Sequence, residues 1–218
     1  MSIRVVIADD HPVVRDGLRM TIERSGKNIV VVGEAADGME VLKLSRAKPA
    51  DVFILDITMP NMNGIETARE LLKLSPVAKI IMLTLHGTKA MVEEALAVGA
   101  RGYLTKEMAT RNLVDAVTEV HAGRYYLCPT IAHFIVEFGR KEERDPGMRG
   151  VAPVRLTGQE RKVLQLIAEG RSNKEIAALL GLAVNTIHVH RNHVMAKLKI
   201  HKQADLIRYG IKSGLAKL

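Results

Sequence analysis

Residues 51 to 64 read D-V-F-I-L-D-I-T-M-P-N-M-N-G, and this stretch constrains the chain more than any other. Val52 to Leu55 are consecutive apolar residues rich in strand formers, bounded by turn residues. A short run of that kind predicts a strand buried on both faces, as in a parallel sheet covered by helices. Asp56 comes where the run ends. A carboxylate there lies at the carboxyl edge of the sheet, where open α/β folds gather their ligands. Pro60 and Gly64 then interrupt the chain before a helical pattern begins. Read alone, the stretch leaves two roles for Asp56: a ligand-edge carboxylate, or the cap of a turn.

The flanking sequence repeats the pattern. Ile3 to Ala8 form another apolar run, ending in Asp9-Asp10. Val13, Val14, Leu18 and Ile22 follow at helical spacing. Ile29 to Val32 predict a second strand, and Met39, Val41, Leu42 and Leu44 a second helix. After the Asp56 strand comes a helix carrying Ile65, Ala68, Leu71 and Leu72. Lys79 to Thr84 and Gly102 to Thr105 predict two further strands. Helices over Met91 to Val98 and Leu113 to Val120 follow them. Five alternations of strand and helix argue for one doubly wound parallel sheet. Asp9, Asp10, Asp56, Thr84 and Lys106 then meet at its carboxyl edge. Three carboxylates repel unless a cation joins them. Oxygen-only ligands suit Mg²⁺. Asp56 can then serve as nucleophile toward a phosphoryl group, with Lys106 neutralising its oxygens and the Thr84 hydroxyl donating to one of them.

Charge divides the chain. The net charge is +8, yet residues 1 to 128 hold 16 Lys+Arg and 16 Asp+Glu, whereas residues 151 to 218 hold 12 and 4. A neutral half joined to a basic half predicts a polyanionic partner for the second. No apolar run is long enough to span a membrane, and no signal-peptide pattern opens the chain. A single cysteine, Cys128, excludes an internal disulfide. A cytoplasmic protein is expected. Residues 140 to 147 mix charge, Pro146 and Gly147 as a connector does. Ile131, Phe134, Ile135 and Phe138 before it have helical spacing.

In the basic half, Thr157 with Glu160 fits a capping box for a first helix. Ser172 can cap a second helix carrying Ile176 and Leu180. A tight turn at Gly181 leads to a third, capped by Asn185, with Ile187, Val194 and Leu198 inward. A last helix offers Leu206, Ile207 and Ile211 as a candidate dimer surface. Helix, glycine turn, helix is the helix-turn-helix arrangement, whose second helix enters the major groove. No acid lies between Glu175 and Asp205. A small helical bundle that binds protein is the alternative. His188, His190, His193 and His201 lack Cys or carboxylate partners, so no metal site is expected there.

These motifs together carry a resemblance. Asp9-Asp10, Asp56 within D-x-x-M-P-x-x-x-G, Thr84, Tyr103 and Lys106 resemble the receiver domain of two-component response regulators. The segments L-T-x-x-E-x-x-V-L-x-L-I-A-x-G-x-S-N-K-E-I-A and T-I-x-V-H-R-x-x-V-M-x-K-L resemble the LuxR-type DNA-binding domain. The whole chain is similar to the NarL/FixJ family. The resemblance implies a flavodoxin-like receiver of strand order 2-1-3-4-5 over residues 1–124, a linker over 125–153 and a helix-turn-helix domain over 154–218. It implies that a sensor histidine kinase phosphorylates Asp56, with Mg²⁺ held by Asp9, Asp10, Asp56 and the Thr58 backbone carbonyl. It makes Thr84 and Tyr103 the switch pair, Tyr103 rotating inward behind Thr84. It places His188, Val189 and Asn192 at base edges of double-stranded DNA, and Lys174, Asn185, Thr186, His190, Arg191, Lys197 and Lys199 near phosphates. Phosphorylation would drive a homodimer onto an inverted repeat, by relieving a masked recognition helix or a monomeric state. Catalysis would be confined to the receiver's own phosphotransfer and dephosphorylation. Three positions depart from common patterns. Leu85 follows Thr84 where many receivers have a smaller residue, and Glu107 follows Lys106 where many have proline. His188 replaces a common lysine. His86, in the loop beside the site, is expected to act on dephosphorylation rate at most.

Two alternatives remain at this level: a regulator whose receiver is a passive dimerisation module, and a Mg²⁺-dependent phosphohydrolase using Asp56. The second normally places another acid two residues after the nucleophile, and Thr58 stands there instead.

Overall fold

The computed structural model describes residues 2–85, 88–129 and 156–216. The segment around Phe134 and Arg140, like His86, lies outside them. The chain forms two compact units.

In the first unit, strands β1 (Ile3–Ala8), β2 (Ile29–Ala35), β3 (Val52–Asp56), β4 (Lys79–Thr84) and β5 (Gly102–Thr105) alternate with helices α1 (Pro12–Arg24), α2 (Gly38–Ala47), α3 (Gly64–Leu74), α4 (Lys89–Ala97) and α5 (Lys106–His121). A short β6 (Tyr126–Leu127) follows. The sheet is parallel in the order β2-β1-β3-β4-β5-β6. The expected five-stranded order is present, and a sixth strand extends it. β6 falls in the segment that the sequence reading assigned to the linker. Tyr126 donates its N–H to Arg101 and Cys128 donates to Tyr103, which seals the edge of β5. Two residues are too few to show a strand period, so only the pairing reveals them.

Every residue of β3 is buried, as an uninterrupted apolar run requires. Val5, Ile7, Ile54, Leu55, Ile81 and Leu83 are fully enclosed. Helices α2 to α5 begin on side-chain caps: Asp37, Asn63, Thr88 and Thr105 each accept the N–H three residues on. Thr105 is both the last residue of β5 and the cap of α5, so no loop separates them.

The second unit contains α6 (Gly158–Ala168), α7 (Asn173–Leu180), α8 (Val184–Leu198) and α9 (Gln203–Lys212). Its core includes Val163, Leu164, Ile176, Ile187, Val194 and Leu206. The capping boxes at Thr157–Glu160 and Ser172–Glu175 are formed. Gly181, at φ +64°, ends α7 in the left-handed region that glycine tolerates.

Two local expectations are corrected. Asn185 does not cap α8: Ala183 does, through its carbonyl, which accepts from Thr186 and Ile187. Asn185 is thereby moved inside the first turn and exposed. Leu206 is fully buried and offers nothing to a partner. The cause is close packing of α9 on α6, where a β-carbon on Gly210 would stand 2.6 Å from that of Ala168. The face of α9 left toward solvent carries Arg208 and Tyr209.

Candidate functional site

The first site lies at the carboxyl edge of β1, β3, β4 and β5. Asp9 follows β1, Asp56 ends β3, Thr84 ends β4 and Lys106 opens α5. Asp9, Asp56 and Thr84 are buried. The Lys106 ammonium bridges two carboxylates, 2.5 Å from Asp9 Oδ2 and 3.0 Å from Asp56 Oδ2. Only 8% of its side chain is exposed, which strengthens both attractions over those of a surface pair.

Asp10 is partly exposed and comes to the same place through His11. The His11 ring Nδ1 is 2.8 Å from Asp10 Oδ1 and 3.2 Å from Asp9 Oδ1, and its backbone N–H donates to Asp9 Oδ1. Sequence reasoning gave His11 no role. The only signal for it is adjacency to the acid pair. Asp9, Asp10 and His11 form the compact group of potential metal ligands among the described residues.

The donor set fits a hard divalent cation. Three carboxylates face one ammonium and one imidazole, so negative charge is in excess. The buried Asp9 Oδ2 accepts no well-formed hydrogen bond among the described residues, and its counter-charge is Lys106. Oxygen ligands in excess negative charge match Mg²⁺.

The backbone behind Asp56 admits no side chain. A β-carbon on Gly64 would stand 2.2 Å from the Asp56 carbonyl oxygen, where the Gly64 N–H donates to Ile57. Gly64→Ala is therefore expected to cost about 2 kcal/mol. It should also move the Asp56 carboxylate, so phosphoryl uptake falls together with the denaturation midpoint.

Tyr103 is fully buried, facing Thr84 and Cys128. Burial pushes its phenol well above the usual value, the Cys128 thiol adds to this, and the Thr84 side chain opposes it. Its hydroxyl lacks a well-aligned hydrogen-bond partner among the described residues. The ring already occupies the inward position. Leu85, which follows Thr84, is turned to solvent. Glu107 is exposed in the first turn of α5.

The second site is the outer face of α8 with the start of α7. Lys174, Asn185, His188, Val189, Asn192 and Lys199 are exposed, and Thr186, His190 and Arg191 are half-buried. Arg191 donates to the Gln203 side chain at 2.9 Å. The Asn173 amide nitrogen lies 3.2 and 3.3 Å from the two ring nitrogens of His188, a contact that spacing alone does not show. Lys197 is engaged elsewhere: its ammonium is 2.6 Å from Glu160 Oε2, whose side chain is 4% exposed. Burial alone would raise the Glu160 pKa. Lys197 and the Thr157 N–H and hydroxyl overcome this and hold it below the usual carboxylate value. A phosphate would have to compete with that pair for Lys197.

Residues 5–118 match the family of response regulator receiver domains. Residues 154–210 match the bacterial regulatory proteins of the luxR family. The chain is similar to the uncharacterized transcriptional regulatory protein YhcZ of Bacillus subtilis (strain 168), at 35% identity over 212 residues and 97% of each chain. It is also similar to RcsB of Salmonella enterica serovar Typhimurium bound to promoter P1flhDC in the presence of phosphomimetic BeF3-. There the identity is 27% and the TM-score 0.66, over 96% of this chain and 98% of that one. A structure of two RcsB dimers bound to two parallel DNAs is similar at 27% identity and TM-score 0.58, with the same coverage.

Proposed function

Because this chain belongs to the response regulators, a receiver domain followed by a luxR-family DNA-binding domain, we propose that Asp56 is the phosphoacceptor through which it regulates transcription. The observation that carries this is the buried Lys106 ammonium bridging Asp56 and Asp9 at the sheet edge.

An Asp56 carboxylate oxygen attacks the phosphorus of a sensor kinase's phosphohistidine. The O–P bond forms, the P–N bond breaks, and the imidazole leaves with the electron pair. Lys106 is placed to neutralise the transferring oxygens, and the Thr84 hydroxyl to donate to one of them. Asp9, Asp10, Asp56 and the Thr58 carbonyl would hold Mg²⁺, which supplies further charge neutralisation when bound. Thr84 and the inward Tyr103 act as the switch pair. Phosphotransfer and dephosphorylation of Asp56 are the only chemistry assigned to the chain.

The response is dimerisation and binding to an inverted repeat in double-stranded DNA, in the cytoplasm. The RcsB structures with DNA, with the phosphate mimic and as dimers support this reading. Among the described residues no helix is long and apolar enough to cross a membrane. His188, Val189 and Asn192, all exposed, read base edges. Lys174, Asn185, Thr186, His190, Arg191 and Lys199 follow phosphates, and Lys197 shares itself with Glu160. The division into a receiver over 1–124, a linker over 125–153 and a DNA-binding domain over 154–218 completes the proposal, with β6 as the receiver's extension into the linker.

Light scattering with Mg²⁺ and beryllofluoride tests the switch. Mass should double for wild-type protein and stay monomeric for Asp56→Asn. If mass and DNA affinity both ignore the mimic, the receiver is passive. On sites selected from a random DNA pool, His188→Ala should lose about 1–3 kcal/mol of discrimination at one base position. Lys199→Gln should weaken all sequences alike and lower the salt slope by about one.

A further inference from the structure

Arg15 lies beside the acidic turn and has no part in the mechanism above. It sits in the first turns of α1 with its side chain only 17% exposed. A guanidinium this close to two acids would ordinarily pair with their carboxylates. Instead its Nη1 donates at 2.6 Å to the backbone carbonyl of Asp9. Its other anchor is Glu34 on β2, with Nε 3.5 Å from Glu34 Oε2, beyond a well-formed hydrogen bond. Glu34 is held in turn by Arg19 at 3.1 Å.

The next residue of β2 holds the peptide group on the other side of the Asp9 α-carbon: Asp9 donates its N–H to the Ala35 carbonyl at 3.1 Å. An irregularity in the β1–β2 pairing, between Val5 and Val6, shifts the register by one. That shift sets Glu34 opposite Ile7 and Ala35 opposite Ala8. The main chain of Asp9 is thus fixed through Ala35 directly and through Glu34 by way of Arg15. The carboxylates of Asp9 and Asp10 keep their oxygens for other partners.

We propose that Arg15, anchored by Glu34, is a positioning residue that holds the Asp9–Asp10 turn in the geometry needed to bind a divalent cation. The inference rests on the reading of these acids as the Mg²⁺ site. It goes further in assigning a role to a side chain that touches neither the cation nor the phosphoryl group. Partners that orient metal ligands from behind typically change affinity by about ten- to a hundredfold when removed.

The direction of the effect separates positioning from charge. Arg15→Gln removes a positive charge from beside a cation site. By Coulomb's law alone the variant should bind a cation more tightly. A positioning role predicts the reverse. The experiment is calorimetric titration of the full chain with Mn²⁺, a Mg²⁺ stand-in, with circular dichroism confirming the fold of each variant. Arg15→Gln should bind about ten- to a hundredfold more weakly than wild type. Arg15→Lys, which keeps the charge and loses the fork, should fall between. Arg15→Met, which removes the charge and the donors but keeps an apolar stem, serves if Arg15→Gln does not fold, and the same direction of loss is expected. Unchanged or tighter binding in folded Arg15→Gln, or in Arg15→Met if that variant alone folds, overturns the positioning role. No binding by wild type overturns the role and the metal site together.

Discussion

Replacement of Asp56 by asparagine is expected to abolish phosphoryl uptake. The amide matches the carboxylate in shape and leaves the enclosing residues of β3 and β4 in place, so the fold persists. It removes the charged oxygen that would attack phosphorus, and the contact that Lys106 makes at 3.0 Å. With acetyl phosphate and Mg²⁺, phosphate-affinity electrophoresis and intact mass should show wild-type modification and a background level for Asp56→Asn. Asp9→Asn keeps the nucleophile and removes one counter-charge of Lys106. Its rate should fall and its Mg²⁺ requirement should rise, without complete loss. Wild-type uptake in Asp56→Asn would place the phosphoacceptor elsewhere. A partial rate would mean that the site needs the shape of residue 56 more than its charge.

A clear loss of stability is expected from Lys197→Met. The ammonium of Lys197 reaches from α8 to Glu160, the buried acid that also closes the capping box of α6. Removing it leaves a carboxylate enclosed with only the Thr157 cap as partner. The carboxylate is enclosed but the Lys197 side chain is 39% exposed, so water screens the pair and its loss costs about 1–2 kcal/mol, less than for a pair buried on both sides. In a helical unit of this size that lowers the melting temperature by roughly 5–10 °C. Thermal unfolding of the full chain should show it in the transition of the second unit.

The pH dependence carries a sign. The folded-state pKa of Glu160 lies below its usual value. Its stabilisation is therefore complete above the usual carboxylate pKa and disappears as pH falls through the lowered one. The gap between wild type and Lys197→Met should accordingly close on acidification. If Lys197 served DNA phosphates alone, the variant would melt like wild type and lose only about one unit of salt slope.

How much was legible in advance follows from the range over which each signal acts. Uninterrupted apolar runs located β1, β3 and β4, and Asp9, Asp56 and Thr84 at their ends followed. The spatial meeting of Asp56 with Lys106, fifty residues later, required the topology, which five alternations of strand and helix supplied. Thr157 and Ser172 were legible because a capping box spans four residues. Features set by tertiary packing were not. Leu206 has the same apolar pattern whether it faces a partner or the core, and the small contact between Gly210 and Ala168 decides it. The start of α8 was misplaced because a main-chain carbonyl on Ala183 needs no polar side chain to cap a helix. The pairing of Lys197 with Glu160 spans 37 positions, so a basic residue on an outward face read as a DNA contact.

The absence of a loop between β5 and α5 has a mechanical consequence. Thr105 ends the strand and caps the helix, and Lys106 is the first helical residue. Between β3 and α3, by contrast, seven residues, 57 to 63, intervene after Asp56. The two partners of the ion pair thus reach their helices by connections of unequal length. Asp56 is followed by a connection in which Ile57, Met59, Met62 and Asn63 are buried, and Ile57 donates to Leu83 and accepts from Gly64. Lys106 is joined to a helix of 16 residues with no compliant segment between. Any pull on its ammonium is delivered directly to α5, whereas a pull on Asp56 reaches α3 only through the buried connection over 57 to 63.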